Sequence, residues 1–452
     1  MLNIKTDSRS VVKGDTFVAI KGHTVDGHDY IEDAINNGAI KIVCEHGKFD
    51  VETIIVENSE EYLNKYLVDN YSSKFNDIKF IGITGTNGKT TTAYLTSQIL
   101  TKLNINNAYI GTIGYYINNE LIYELPNTTP DILFLYNIIL ESIDKGVSII
   151  VMEVSSHALS LGRINGIKFD VGGFTNLTED HLDYHKTMEN YLDSKLKILD
   201  YLKDNGVMIS NIDDPYGDRF KYKNYLTLGF NDSDYNILDY KYNSLTTDIK
   251  FRFDNTVYNV ETNLLNKFNI YNYMTALAFV NNIGISIDDI IKVTKDVYAP
   301  SGRNEIISVN GGKAIIDYAH TPDAVEKIIT SYLEKKNGKI ITIVGCGGDR
   351  DPKKRPIMGN IATDLSDYVI LTNDNPRTEN ELNIMNDIVS GIKKDNYEII
   401  YDRREAIKKG LDMVNKDDIL LILGKGHEDY QIIGHTKYHL SDKEEVLNYI
   451  NS

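Results

Sequence analysis

Gly85-Thr86-Asn87-Gly88-Lys89-Thr90 gathers two glycines, a lysine and two hydroxyls into one short stretch. Glycines let a backbone fold tightly around phosphate oxygens. The free N–H groups and positive end of a following helix favour an anion. In such a loop Lys89 is expected to reach the β- and γ-phosphates, and the Thr90 hydroxyl to ligate Mg²⁺. Thr91 follows directly behind them. The usual phosphate loop has four residues between its glycines; here only Thr86 and Asn87 separate Gly85 from Gly88, so this is a shortened variant.

Two further residues fit this chemistry. Glu153 ends an apolar stretch, 147–152, where a second magnesium ligand is expected beside a phosphate loop. His181, in Asn176-Leu177-Thr178-Glu179-Asp180-His181-Leu182-Asp183, is the other candidate. A lone Glu or His at a strand end is usually solvated or hydrogen-bonded; a neighbouring phosphate site is what makes each a candidate.

The elements that must hold these groups follow from periodicity. An apolar strand is expected at 80–83 and a helix at 89–103, so strand, turn and helix come in the order a phosphate loop needs. Three regions separate. Residues 1–76 hold short apolar stretches at 16–20, 40–44 and 53–56 and a helix-like segment at 29–37, a small α/β unit. Residues 77–301 alternate strand and helix patterns, which implies a mostly parallel sheet. Residues 302–452 repeat that rhythm, with strands expected at 314–316, 340–344, 368–371 and 419–423. Each runs into a polar or glycine-rich segment, and open α/β sheets bind ligands at such strand ends. The fold class is therefore α/β with three domains.

Bulk properties exclude some functions. With 48 Lys and Arg against 65 Asp and Glu, the net charge of -17 argues against a nucleic-acid or membrane-surface binder. No apolar run approaches the roughly 20 residues a membrane span needs, and residues 1–11 lack the apolar core of a signal peptide. Cys44 and Cys346 have no metal or disulfide spacing. A cytoplasmic location is expected.

Taken with its flanks, the loop resembles the signature of the Mur ligases, the enzymes that build the peptide stem of peptidoglycan. Supporting stretches are Thr6-Asp7-Ser8-Arg9, Asn127-Thr128-Thr129-Pro130-Asp131, Met152-Glu153-Val154-Ser155-Ser156-His157, Phe174-Thr175-Asn176-Leu177, Asp180-His181-Leu182-Asp183-Tyr184-His185, Asp317-Tyr318-Ala319-His320-Thr321-Pro322 and Gly424-Lys425-Gly426-His427-Glu428-Asp429-Tyr430-Gln431. They occur in the family's order across nearly the whole chain. The resemblance implies a uridine-nucleotide domain (1–76), a central ATPase (77–301) and a Rossmann-like domain that brings the amino acid (302–452). It also implies an ATP- and Mg²⁺-dependent amide ligase, working as a monomer through an acyl phosphate.

The family's site residues carry over by position. For ATP they are Gly85, Thr86, Asn87, Gly88, Lys89, Thr90 and Thr91, with Asn269, Asn272, Arg303 and Asp317 towards the nucleoside. Thr90, Glu153 and His181 fall at its magnesium positions, and Lys195 where the family carries a carbamylated lysine. Lys89, His181 and Lys195 are the expected catalytic groups. Ser8, Arg9, Thr128, Thr129, Ser155 and Arg163 match the positions that hold the UDP-N-acetylmuramoyl-dipeptide.

Asp374-Asn375-Pro376-Arg377 resembles the motif of family members that add meso-diaminopimelate, and Arg350, Gly424 and Glu428 match the rest of that pocket. Diaminopimelate carries a distal carboxylate that lysine lacks, and a guanidinium offers it a bidentate fork. An unpaired arginine would also disfavour lysine. Three alternatives stand beside this one: a ligase adding L-lysine or another diamino acid, a folylpolyglutamate synthase-like enzyme, and a Mur-like binding protein without activity. Two departures from the family are a start close to Asp7-Ser8-Arg9, where relatives usually carry a longer leader, and Lys267 where a glycine is common.

Overall fold

The computed structural model describes residues 2–22, 25–243, 246–333 and 336–452. Its strands form three main sheets and one short hairpin. The first sheet pairs Ile4–Lys5, Thr16–Val18, Lys41–Cys44 and Glu52–Ile55 in chain order, all parallel. The helix expected at 29–37 is shorter: residues 27–30 form a tighter 3₁₀ turn and the α-helix spans Ile31–Asn36. The Asp26 carboxylate causes this start, accepting from the His28 backbone N–H.

The second sheet has eleven strands. Seven of them run parallel in its middle, from Tyr235–Tyr242 across to Asn107–Gly111. An antiparallel hairpin extends each edge. Lys79–Thr84 lies between Phe169–Phe174 and Ile149–Glu153, with Thr84 level with Phe174 and Ile83 level with Glu153. The strand foreseen at 147–152 starts at Ile149 and ends on Glu153 itself. The phosphate loop, Glu153 and the segment after Phe174 therefore leave the sheet side by side. Helices Lys89–Lys102 and Lys267–Asn282 pack together on one face. Burial on both faces explains the continuous apolar runs of the central strands.

The third sheet orders Glu305–Val309, Gly312–Asp317, Ile419–Leu423, Ile340–Val344, Tyr368–Leu371 and Tyr397–Ile399. Only the first pair is antiparallel. Apolar clusters cover both faces, the arrangement of a doubly wound sheet. Asp317, Val344, Leu371 and Leu423 end their strands on one edge, where ligands of such sheets collect. A hairpin, Tyr430–Ile433 with Thr436–His439, folds over that edge. Two bonds tie it to the Arg377 backbone: Arg377 N–H donates to Ile432 O, and Gly434 N–H to Arg377 O.

Candidate active site

The phosphate loop is set by its neighbours. Gly85 has φ +145° and Gly88 φ +87°. A Cβ at Gly85 would overlap the Thr175 hydroxyl, and one at Gly88 the Asn272 carboxamide. Only glycine fits either place. Asn176 clamps the loop from the adjoining segment: its carbonyl accepts from Thr86 N–H at 2.8 Å and its Oδ1 from Asn87 N–H at 3.0 Å. Lys89 Nζ donates to Gly85 O and Thr86 O, both at 2.8 Å, curling over the loop it is expected to serve.

Beside the loop, Glu153 is fully buried. Its Oε1 accepts from Tyr109 OH at 2.6 Å and Thr112 N–H at 2.8 Å. Its Oε2 accepts from the Thr90 and Thr112 hydroxyls at 3.0 and 3.1 Å. Two of the magnesium candidates, Thr90 and Glu153, are thus in direct contact. The Thr112 hydroxyl also meets Thr128 Oγ1 at 3.0 Å. Thr129 donates to Glu153 O, accepts from Ser155 N–H, and through its own carbonyl accepts from Arg163 at 3.0 Å. Four of the proposed substrate-side residues therefore form one bonded group against Glu153. Ser8 and Arg9 do not join them among the described residues. Ser8 lies buried in the first sheet's end, and Arg9 is exposed and paired with Asp7.

Lys195 is 1% exposed and donates to Gly85 O at 2.8 Å, with its Nζ 4.4 Å from the Tyr191 ring centre. Burial, and then the Lys89 charge, push its ammonium well below the usual lysine range. Burial also lowers the Lys89 ammonium. His181 sits in a left-handed turn, φ +55°, its ring edge-on to His157. Desolvation in the cleft pulls it down to about 4 against the pull of Asp180.

The two large sheets meet over an 870 Å³ cavity that Asn87, Gly88, Thr91, Asn269, Asn272, Arg303 and Asp317 help to line. Arg303 reaches from the linker, its Nη2 3.3 Å from the Thr90 hydroxyl and its guanidinium stacked 4.4 Å from the Tyr318 ring centre. Both Asp317 oxygens accept backbone N–H groups, from Asn304 and Ala319, so this residue shapes the loop it was expected to serve as a ligand. Burial raises its carboxyl.

On the third sheet, Arg350 and Arg377 both flank Gly347. A Cβ at Gly347 would lie 2.9 Å from Arg377 Nη1 and 3.8 Å from Arg350 Cγ. Arg377 donates to Gly348 O at 2.8 Å and forms no ion pair among the described residues. Alongside, Asn375 Nδ2 donates to Glu428 Oε2 at 2.9 Å. Asp374 Oδ1 accepts from Asn375 N–H, and Gly424 packs against Asp374 at φ +113°.

Chain-wide comparison identifies the family. The descriptions "Mur ligase family, catalytic domain", "Mur ligase middle domain" and "Mur ligase, glutamate ligase domain" match residues 2–73, 83–280 and 302–426. The chain belongs to the Mur ligase family. It is 42% identical to the UDP-N-acetylmuramoyl-L-alanyl-D-glutamate--2,6-diaminopimelate ligase of Fusobacterium nucleatum, over 98% of this chain and 92% of that one. It is 40% identical to the same-named ligase of Clostridium tetani, over 99% and 94%. A solved structure of a UDP-N-acetylmuramoyl-L-alanyl-D-glutamate--2,6-diaminopimelate ligase superposes with a TM-score of 0.68 at 31% identity, covering 99% of this chain and 94% of that one.

The residues of this Mur ligase suit a hard, oxygen-seeking cation. No group of three or more His, Cys, Asp or Glu among the described residues could alone hold a metal. A site here would combine the Glu153 carboxylate and Thr90 hydroxyl with phosphate oxygens, the donor set Mg²⁺ favours. Sequence reasoning missed several contributors. Thr112 joins Glu153 to Thr128 but belongs to no motif, and the fold alone brings it there. Asp323 accepts from Asn87 Nδ2 at 3.0 Å across the cavity. Lys425 was legible within Gly424-Lys425-Gly426 but had no partner assigned. Among the described residues no helix is long and apolar enough to cross a membrane.

Proposed function

We infer that this Mur ligase adds meso-diaminopimelate to UDP-N-acetylmuramoyl-L-alanyl-D-glutamate in peptidoglycan synthesis, consuming ATP. The observation that carries the amino-acid assignment is the Arg377 guanidinium at Gly347 beside Asn375 and Glu428, with the Arg350 side chain flanking the same glycine. Guanidinium groups suit the distal carboxylate, and Glu428 suits the distal ammonium. The names of the similar ligases from Fusobacterium nucleatum and Clostridium tetani support the same substrates.

The reaction needs two steps. The glutamyl γ-carboxylate oxygen attacks the γ-phosphorus of ATP, the bond to the bridging oxygen breaks, and ADP leaves. The diaminopimelate amine then attacks the acyl carbon, and phosphate departs with the proton lost from nitrogen as the amide forms. Gly85 to Thr91 cradle the phosphates, and Lys89 releases the loop carbonyls to meet the γ-phosphate. Asn269, Asn272, Arg303 and Asp317 line the nucleoside side. Thr90, Glu153 and His181 would hold Mg²⁺, which would supply screening of the charges that gather during phosphoryl transfer. Thr128, Thr129, Ser155 and Arg163 position the muramoyl-peptide, and Ser8 and Arg9 meet the uridine nucleotide.

Lys195 belongs to this set as a carbamate. Burial disfavours the ammonium, and the free-amine form can attack CO₂, forming an N–C bond and releasing one proton. The product carboxylate is an anionic metal ligand where a cation would repel one. The enzyme works in the cytoplasm, where ATP is available, and as a monomer, since one chain supplies every candidate group. Incubating the purified chain with ATP, Mg²⁺, the UDP-linked dipeptide and meso-diaminopimelate tests the activity. Mass spectrometry should find the tripeptide product, and its absence would remove the assignment. A sedimentation mass of two chains would remove the monomer.

A further inference from the structure

The amino-acid pocket contains an ammonium that its expected ligands do not explain. Lys425 follows the strand Ile419–Leu423, and its side chain is 0% exposed. Its Nζ donates to Glu428 Oε2 at 3.1 Å and to Asn375 Oδ1 at 3.3 Å. The Tyr430 ring lies 5.5 Å away. Asn375 in turn donates its amide to the same Glu428 Oε2. Lysine, carboxamide and carboxylate thus close a three-membered ring of bonds, and Glu428 Oε1 accepts none among the described residues.

The position of this charge has a chemical consequence. Glu428 is the group proposed to meet the amino acid's distal ammonium. A buried carboxylate without a counter-ion would draw any amino acid ending in a cation, L-lysine included. Lys425 already neutralises it. A distal end that is only an ammonium then gains little from Glu428 and meets the positive charge of Arg377. A distal end with both carboxylate and ammonium satisfies the arginines and shares Glu428.

We propose that Lys425 is a specificity-determining residue, which disfavours amino acids with a lone distal ammonium by holding Glu428 in a pre-formed ion pair. This rests on the diaminopimelate assignment above and deepens it. It adds a second element of discrimination, separate from the arginine fork, that acts by removing attraction for the wrong substrate.

The experiment compares kcat/KM for meso-diaminopimelate and L-lysine in the full chain and in Lys425→Met, with ATP and the UDP-linked dipeptide saturating. The wild type must first turn over diaminopimelate; if it does not, the assignment itself has failed. Given that activity, Lys425→Met should lower the preference for diaminopimelate over lysine by about tenfold, as expected when a close buried charge pair is removed. Lys425→Met with Glu428→Gln should recover rejection of lysine, because the unpaired carboxylate is gone. If Lys425→Met does not fold, Lys425→Gln makes the same test with a polar side chain. An unchanged preference, with both substrates weakened equally, would reduce Lys425 to a packing residue and overturn the proposal. Failure of the double variant to reject lysine would also overturn it.

Discussion

The Thr90 hydroxyl donates a 3.0 Å hydrogen bond to Glu153 Oε2, joining the start of the phosphate-loop helix to the end of the neighbouring strand. Register makes this contact: Ile83 pairs with Glu153, so the loop and the carboxylate emerge together. Glu153→Gln replaces one acceptor oxygen with a donor amide among four donors. Stability should fall by about 1–3 kcal/mol, the cost of buried groups left unpaired. The kcat should fall at least about a hundredfold, as when several kcal/mol of metal-mediated charge stabilisation are lost. Phosphate-release kinetics at rising Mg²⁺ check this; full recovery at high Mg²⁺ would mean Glu153 affects only affinity.

Lys195 gives a prediction about CO₂. Its free-amine form, favoured by burial, should take up CO₂ reversibly, so protein degassed at mildly acidic pH should lose activity and regain it with bicarbonate. Lys195→Ala should be inactive, with partial rescue by acetate or formate, which place a carboxylate in the space left. Indifference to both treatments would mean the amine itself is the working group.

Two histidines of the third sheet predict an acid-sensitive fold. Burial, with the Lys354 charge, lowers His320 to about 4; burial, with the Arg303 charge, lowers His427 to about 3. In the unfolded chain both titrate near 6.5, so as pH falls the unfolded state takes up protons first. The stability they contribute is complete above pH 6.5 and is lost as pH falls towards 4 and 3. Melting temperature should therefore be level from pH 7 to 8 and decline below 6.5. His427→Asn should flatten that decline; an unchanged slope would assign it to other groups.

Gly347 offers a test of the arginine pair. Its absent side chain leaves the space that Arg377 Nη1 occupies, 2.9 Å from the position of a Cβ. Gly347→Ala meets only the end of a flexible side chain, so stability should change by no more than about 1 kcal/mol. The displaced guanidinium should raise the KM for diaminopimelate by about tenfold while the KM for ATP holds. A parallel rise in both would place the effect elsewhere.

What the sequence made legible follows from burial. The runs 340–344, 368–371 and 419–423 are strands with those limits because they are buried almost throughout, and the one polar side chain among them, Thr342, is paired with the Ser366 hydroxyl. Gly85 to Lys89 were legible because a phosphate loop is local. The edge hairpin Thr247–Phe253 with Thr256–Thr262 was not, since its alternating polar residues give no continuous apolar run. The Thr112–Glu153 and Lys425–Glu428 bonds differ in kind. The first joins residues far apart in sequence and needs the sheet order; the second is local, but its burial is visible only once the hairpin covers it. Asp317 was foreseen beside the nucleotide, yet its two backbone bonds could not be read from Asp317-Tyr318-Ala319.

The most direct test of the central claim is phosphate release from ATP with the UDP-linked dipeptide and either meso-diaminopimelate or L-lysine. Release with diaminopimelate and not lysine, lost in Arg377→Ala, is the expected result. Release with lysine, or diaminopimelate turnover that survives Arg377→Ala unchanged, would contradict the role given to the arginine pair, and no release with either would contradict the ligase assignment.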